Sequence, residues 1–121
     1  MAAILIVEDD ALICELAGMM IEDFGHSVVL ASDLDEGLAA LRSSQRFDAL
    51  FTDIYLKKAI FGGCDLAQQA RRIRPDLRIL YTTGNAITDS LKAVFVGGSM
   101  FLRKPYTIAQ LQSSIESLLA A

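Results

Sequence analysis

Five side chains that could together hold a metal ion and a phosphate stand directly after short apolar segments of this chain. Glu8 and Asp9 follow the first such segment, Asp53 the third, Thr83 the fourth and Lys104 the fifth. Clustered carboxylates repel one another unless a cation neutralises them, and oxygen ligands without sulfur suit a hard ion such as Mg²⁺. A lysine supplies a positive charge for a phosphate, and a carboxylate can itself act as a nucleophile. The pattern therefore indicates phosphoryl transfer to a carboxylate.

Each of these features alone has an ordinary structural interpretation. An acidic pair after a strand commonly caps a helix, because carboxylates suit helix N-termini. A lone aspartate after a strand commonly belongs to a turn. The chemical interpretation requires that all five side chains meet at one place, so it depends on the elements that carry them.

The strands of the predicted fold are short, continuously apolar runs, which is the pattern of strands buried on both faces. Five such runs occupy residues 3–7, 27–31, 48–52, 78–82 and 99–102.

A helical segment follows each of these runs. In the first, an apolar pattern at helical spacing follows the capping residue Asp10 and consists of Leu12, Leu16, Met19, Met20 and Phe24. The second helix is predicted from a capping box at Ser32 and Asp35, and the fifth from one at Thr107 and Gln110. The third is predicted over 65–73, after a loop with Gly62 and Gly63, and the fourth over 87–95. Strict alternation predicts an α/β fold, a doubly wound five-stranded parallel sheet flanked by five helices. Ligands bind such sheets beyond the carboxyl ends of the strands, where the five side chains stand.

Size and composition favour one domain over residues 1–121, with a hydrophobic content of 53% that can build a core. The net charge of −4 disfavours a nucleic-acid-binding surface, and we interpret Arg71, Arg72 and Arg74 as a solvated helix end. No segment resembles a signal peptide or a membrane span. These features predict a soluble, cytoplasmic protein without nucleic-acid or membrane partners.

Four motifs resemble those of the response-regulator receiver family of two-component signalling systems, particularly its single-domain chemotaxis regulators. The resemblance runs from about residue 3 to residue 119, and its motifs read ILIVEDD, DALFTD, LYTTG and FLRKPY. It implies a flavodoxin-like fold with strand order 2-1-3-4-5. It also implies a signalling switch rather than a metabolic enzyme, although the receiver's own site catalyses its phosphorylation and dephosphorylation.

The resemblance assigns the acceptor and the metal ligands. Asp53 would accept the phosphoryl group. Glu8 and Asp9 would hold Mg²⁺ together with Asp53 and the backbone carbonyl of Tyr55, with Glu8 acting directly or through water.

The resemblance also assigns the switch. Thr83 and Lys104 would each bind a phosphoryl oxygen, and the bond before Pro105 would be cis, so that the lysine points inward. Phe101 stands at the position of an aromatic switch that turns inward when Thr83 moves toward the phosphate. As a residue of a buried strand, Phe101 could equally be an ordinary core side chain.

Two segments depart from the family pattern. The loop after Asp53, IYLKKAIFGGCD, is longer than usual, and Tyr55 stands where a small or polar side chain is frequent. We hypothesise that the Tyr55 ring screens an acyl phosphate from water. The stretch VFVGG at 94–98 is either a mobile binding face or an irregular segment packed on the core.

The resemblance implies a histidine kinase or histidine phosphotransfer protein as phosphoryl donor and a downstream protein target. The surface of the fourth helix, fifth strand and fifth helix could bind that target or a second copy of the chain. Two alternatives remain at this stage, a phosphorylation-independent docking module and a flavodoxin-like cofactor binder. The sequence also leaves open whether the chain acts alone or belongs to a longer regulator or hybrid kinase.

Overall fold

The computed structural model describes residues 1–121, which form a parallel sheet between two layers of helices. The strands are β1 Ala3–Val7, β2 Ser27–Ala31, β3 Ala49–Asp53, β4 Arg78–Thr83 and β5 Met100–Arg103. The helices are α1 Ala11–Asp23, α2 Leu34–Arg42, α3 Gly62–Ile73, α4 Asp89–Lys92 and α5 Ile108–Ala120. All four strand pairs are parallel, and their order is β2-β1-β3-β4-β5. The predicted α/β class and strand order are confirmed.

The sheet separates two apolar clusters because successive side chains of a strand point to opposite faces. In β1, Leu5 and Val7 join a cluster of 17 buried residues that α2 and α3 cover. Ile4 and Ile6 join a cluster of 12 on the other face, which α1 and α5 cover. Burial on both faces explains why the sequence of β1 is apolar throughout.

The apolar stripe on α1 lies on the opposite side from the one that packs on the sheet. Leu12, Leu16 and Met19 are 64%, 44% and 61% exposed. The other two members of the predicted pattern, Met20 and Phe24, pack against the cluster on the sheet. The buried face of α1 consists of smaller residues together with one isoleucine, namely Cys14, Ala17, Gly18 and Ile21. The spacing of the leucines correctly predicts a helix, but it does not identify which face the sheet covers.

The cap of α2 differs from the predicted one by a residue. The N-cap is Asp33, whose carboxylate accepts the Glu36 N–H at 2.8 Å. The Glu36 carboxylate in turn accepts the backbone N–H of Ser32 at 2.8 Å. Glu36 therefore bonds to Asp33 through its N–H and to Ser32 through its carboxylate, and the predicted pairing of Ser32 with Asp35 is wrong. The predicted capping box of α5, Thr107 with Gln110, is present.

The two glycines assigned to a loop form the first turn of α3. Gly63 packs directly on the end of β3, and a Cβ atom built there would lie 1.9 Å from the Asp53 carbonyl oxygen. Its own N–H donates to the Ile54 carbonyl at 2.9 Å. The preceding loop closes as a tight turn through an antiparallel bridge between Leu56 and Ala59.

The fourth helix is much shorter than the predicted 87–95. It covers Asp89–Lys92, with Thr88 as N-cap, and residues 93–98 follow it as turns on the way to β5. Gly98 has a φ of 73°, a backbone conformation that side chains other than glycine rarely adopt. The helix thus ends at Lys92, well before the two glycines.

The arginines near the end of α3 do more than face solvent. Arg71 Nε donates to the Leu77 carbonyl at 2.7 Å. Arg74 donates to the carbonyls of Leu41 and Ser43, both at 3.0 Å, and so ties α3 to the end of α2. The interpretation as a merely solvated helix end is wrong for these two residues.

The longest helices, α1 and α5, are too short to span a membrane.

Candidate functional site at the carboxyl ends of the strands

The parallel strands bring the predicted site residues to one rim of the sheet. Glu8 directly follows β1, Asp53 is the last residue of the neighbouring β3, and Thr83 ends β4. Lys104 directly follows β5, and its backbone N–H donates to the Thr83 carbonyl at 3.0 Å. The strand order thus sets two carboxylates at the centre of the rim and the lysine beside them.

An ammonium group joins the two central carboxylates. Lys104 Nζ lies 2.5 Å from Glu8 Oε1 and 2.8 Å from Asp53 Oδ2. Glu8 is 5% and Asp53 8% exposed. Charged hydrogen bonds in so buried a place are stronger than surface ion pairs, because solvent screens them less. The lysine therefore neutralises a carboxylate pair that would otherwise repel itself at close range.

A third carboxylate completes an all-oxygen set. Side-chain oxygens of Glu8, Asp9 and Asp53 lie within 4.8 Å of one another. Asp10 does not belong to this set, since its carboxylate accepts the Ile13 N–H and caps α1. Three oxygen donors with no sulfur or imidazole fit Mg²⁺, which takes one or two carboxylates and keeps several waters. The donor set therefore fits the expected metal.

Burial and pairing shift the pKa values of this group. Burial raises the pKa of Glu8 above 4.5, although its hydrogen bond from Lys104 opposes the shift. Burial alone would lower the pKa of Lys104, but the hydrogen bonds to Asp53 and Glu8 together outweigh it and raise that pKa above 10.5. The lysine is therefore held in its charged form by the carboxylates that it joins.

The backbone after Asp53 also faces the acceptor. The Tyr55 N–H donates to Asp53 Oδ1 at 3.1 Å, whereas Lys104 contacts the other carboxylate oxygen. The Tyr55 ring lies against Phe61, with ring centroids 5.5 Å apart, and lines a cavity of about 440 Å³ between α3 and α4. The ring is thus supported by another residue of the segment between β3 and α3.

Thr83 and Phe101 stand apart from the carboxylate–lysine contacts. Thr83 is buried, and its hydroxyl accepts the Asn85 N–H at 3.2 Å instead of bonding to Asp53 or Lys104. Phe101 is half-buried in β5. The peptide bond before Pro105 is cis.

Two features near the site escaped the sequence analysis. Tyr81, fully buried in β4, accepts the Val96 N–H at its hydroxyl and stacks on the ring of Phe95. A large aromatic with a polar tip inside an aliphatic strand was the signal that could have revealed it. The second feature is a cavity of about 460 Å³ between α1 and the Lys104–Pro105 turn. The sequence feature that could have indicated this cavity is the wide apolar pattern on α1, because it includes more apolar residues than one buried face requires.

Comparison with known proteins identifies the family of this chain. The family model described as the response regulator receiver domain matches residues 4–116. The chain belongs to the response regulator receiver family. A receiver protein of Anaeromyxobacter is 32% identical over 108 residues, which cover 88% of this chain and 44% of that protein. The crystal structure of a receiver protein from Sinorhizobium medicae superposes with a TM-score of 0.90 at 30% identity, covering 99% of this chain and 95% of the other.

Longer relatives share the receiver region. The probable transcriptional regulatory protein TcrX of Mycobacterium tuberculosis is 27% identical over 117 residues, which cover 96% of this chain and 49% of TcrX. The chain thus spans about half the length of the curated relatives that it matches first. Receiver domains are signalling modules of two-component systems rather than classical enzymes, and this chain is one of them by family.

Proposed function

We propose that residues 1–121 form one phosphorylation-dependent receiver domain whose acceptor is Asp53. The observation that carries the proposal is the buried contact of Lys104 with both Glu8 and Asp53, beside the third carboxylate of Asp9. A lysine joined to two acids at the rim of a parallel sheet is suited to hold a phosphoryl group where the acids hold a metal. No other cluster of three or more metal-ligating side chains occurs in the described chain.

The transfer needs little covalent chemistry from the protein. A bond forms between an Asp53 carboxylate oxygen and phosphorus while the bond from phosphorus to the donor's histidine nitrogen breaks, and its electron pair stays on that nitrogen. The side chains of Glu8, Asp9 and Asp53 and the carbonyl of Tyr55 would hold Mg²⁺. The chemistry that this ion supplies when bound is neutralisation of the carboxylates and of the phosphoryl oxygens.

Phosphorylation would change the hydrogen bonds of two residues. Lys104 would exchange its contact with the Asp53 carboxylate for one with a phosphoryl oxygen. Thr83 would leave Asn85 and donate its hydroxyl to another oxygen of the phosphate. Because the phosphoryl group adds nearly two negative charges, these movements would bias a two-state equilibrium that includes Phe101 and the segment after α4.

The phosphoryl donor would be a histidine kinase or a histidine phosphotransfer protein that docks beside α1. Leu12, Leu16 and Met19 form an exposed apolar stripe on this helix, and the adjoining cavity reaches Lys104. Exposed apolar patches next to a reaction site mark interaction surfaces. A donor seated on this stripe would approach the rim of the sheet, where Asp53 lies.

The remaining parts of the proposal follow from the family. The domain would work in the cytoplasm, and the face of α4, β5 and α5 would bind a downstream protein target or a second copy. The alternative of a flavodoxin-like cofactor binder has no support, because acidic side chains stand after β1 where a cofactor phosphate would need backbone or hydroxyl donors.

Intact-mass measurement after incubation with acetyl phosphate tests this proposal. Wild type should gain one phosphoryl group in the presence of Mg²⁺ and none after chelation. Asp53→Asn should gain none, whereas the control Asp35→Asn, which changes an exposed carboxylate on α2, should behave like wild type. Absence of a Mg²⁺-dependent adduct on wild type would favour a phosphorylation-independent docking module.

A further inference from the structure

Three contacts tie the segment of residues 93–98, which follows α4, to the rest of the molecule. Gln68 Nε2 on α3 donates to the Val94 carbonyl at 3.1 Å. The ring of Phe95 stacks on Tyr81 with centroids 4.2 Å apart and planes inclined by 20°. The Val96 N–H donates to the Tyr81 hydroxyl at 3.1 Å. Two of the three contacts therefore depend on one buried side chain of β4.

Tyr81 also occupies a central place in the proposed switch. It stands two residues before Thr83 in the same strand, so both side chains point to the same face of the sheet. In the register of β4 with β5 it pairs directly with Phe101. Tyr81 itself is fully buried, whereas Phe95 and Phe101 are each half-buried against the same cluster. Any inward movement of Phe101 must therefore take place beside the Tyr81 ring.

Tyr81 is 0% exposed and belongs to the cluster of 17 buried residues on this face of the sheet. Protein interiors are close-packed, and adding the volume of an aromatic side chain forces neighbouring groups to move. The partly buried neighbour best able to leave is Phe95, because it belongs to turns and not to a strand or to a long helix. Inward rotation of Phe101 and stacking of Phe95 on Tyr81 are thus alternatives.

We propose that Tyr81 is a positioning residue that holds the 93–98 segment on the sheet in the unphosphorylated protein, and that an inward Phe101 displaces Phe95 from it. The inference rests on the proposed function and deepens it, because it names what the switch releases. Release would free the ring of Phe95, beside the already exposed Val94, for a partner. The segment is then neither simply mobile nor simply core, since its state depends on phosphorylation.

Amide hydrogen exchange of the 93–98 segment tests the proposal, with beryllium fluoride and Mg²⁺ as the probe for the phosphorylated state. In wild type, the probe should accelerate exchange in this segment. Tyr81→Phe keeps the ring and removes the acceptor of the Val96 N–H, so exchange should be about five-fold faster before any probe is added. By linkage, the apparent affinity for beryllium fluoride, measured by calorimetry, should rise by up to about the same factor.

A second pair of variants separates positioning from general loosening. Gln68→Met removes the tie to Val94 and should shift exchange and affinity in the same direction as Tyr81→Phe. Gln69→Met is the matched control, since that amide bonds to Asp65 within α3 and should leave both quantities at wild-type values.

Two results would overturn the inference. Faster exchange in Tyr81→Phe with unchanged affinity for the probe would mean that Tyr81 is only structural. Unchanged exchange in Tyr81→Phe without the probe would mean that Tyr81 does not hold the segment. If wild type failed to bind the probe, the proposed function would fail, while the comparison without probe would still decide whether Tyr81 holds the segment.

Discussion

Substitution of one glycine should remove the phosphoryl-acceptor geometry without touching a charged side chain. Gly63 lies in the first turn of α3 and approaches the end of β3 so closely that a Cβ atom would lie 1.9 Å from the Asp53 carbonyl oxygen and 2.8 Å from the Ile54 Cα. Both neighbours are backbone atoms, so neither can rotate away. We therefore expect Gly63→Ala to push the β3 end and the start of α3 apart.

The size of the effect follows from this distance. Ordinary van der Waals contact begins at 3.4 Å, so the two backbones must separate by about 1.5 Å. Overpacking of a core costs about 1 to 3 kcal/mol, and a clash with backbone should lie at or above the upper end. At roughly 4 °C per kcal/mol for a domain of this size, the melting temperature should fall by about 12 °C or more. Displacement of a reacting group by about 1 Å can cost roughly 100-fold in rate.

Two measurements test this expectation, thermal unfolding and the rate of phosphorylation by acetyl phosphate. Gly97→Ala is the control for thermal unfolding, because no atom lies within 4 Å of its added methyl group and its φ is not positive. That variant should match wild type or gain a few tenths of a kcal/mol through the unfolded state. A Gly63→Ala protein with the melting temperature and phosphorylation rate of wild type would refute the close packing of α3 on Asp53.

Three further predictions concern single side chains. The Asp48 carboxylate accepts the Ala3 N–H at 2.8 Å and pairs with Arg46, and these contacts lower its pKa below 3.8. Its contribution of about 1 kcal/mol to the free energy of unfolding is therefore present above pH 3.8 and is lost as the pH falls through the lowered pKa. Asp48→Asn should be less stable than wild type at neutral pH, and its free energy of unfolding, measured by denaturant titration, should fall less steeply in acid. Lys104→Gln should leave two buried carboxylates unpaired, lower the melting temperature, and gain more from added Mg²⁺ than wild type does; an equal gain would contradict the role of the lysine as their counter-charge. Tyr55→Asn should shorten the lifetime of the phosphorylated protein if the ring screens the acyl phosphate, and an unchanged lifetime would end that hypothesis.

The sequence predicted the sheet well because buried strands have a simple pattern. The runs at 3–7 and 27–31 match β1 and β2 residue for residue. The predicted β4 is one residue too short at its end, and the predicted β3 and β5 each lie one residue too early in the chain. The rim residues followed directly, since parallel strands end on the same side. The predicted strand ends therefore determined which residues make up the candidate site.

Contacts between distant elements could not be predicted in the same way. Helical spacing placed Leu12 and Leu16 on one face of α1 but could not say that the sheet would cover the other face. The two adjacent glycines suggested a loop. Only the distance between α3 and β3 shows that packing requires a glycine at position 63. The Tyr81 hydroxyl bond to Val96 likewise depends on how the turns after α4 fold back.

The pairing of the charged side chains could not be predicted from the sequence either. Lys104 and Glu8 are separated by 96 positions, and the motifs placed both at the rim without indicating that the lysine would lie 2.5 Å from Glu8 as well as beside Asp53. This additional contact matters for the switch, because phosphorylation must change a three-membered charge cluster and not a simple pair.

A crystal structure of the protein with Mg²⁺ and beryllium fluoride tests the central claim most directly. The account predicts a fluoride complex on the Asp53 carboxylate, a metal ion held by Glu8, Asp9, Asp53 and the Tyr55 carbonyl, and fluorine contacts from Lys104 and Thr83. A metal or fluoride complex bound elsewhere, or a rim in which Lys104 still joins Glu8 to an unmodified Asp53, would contradict it.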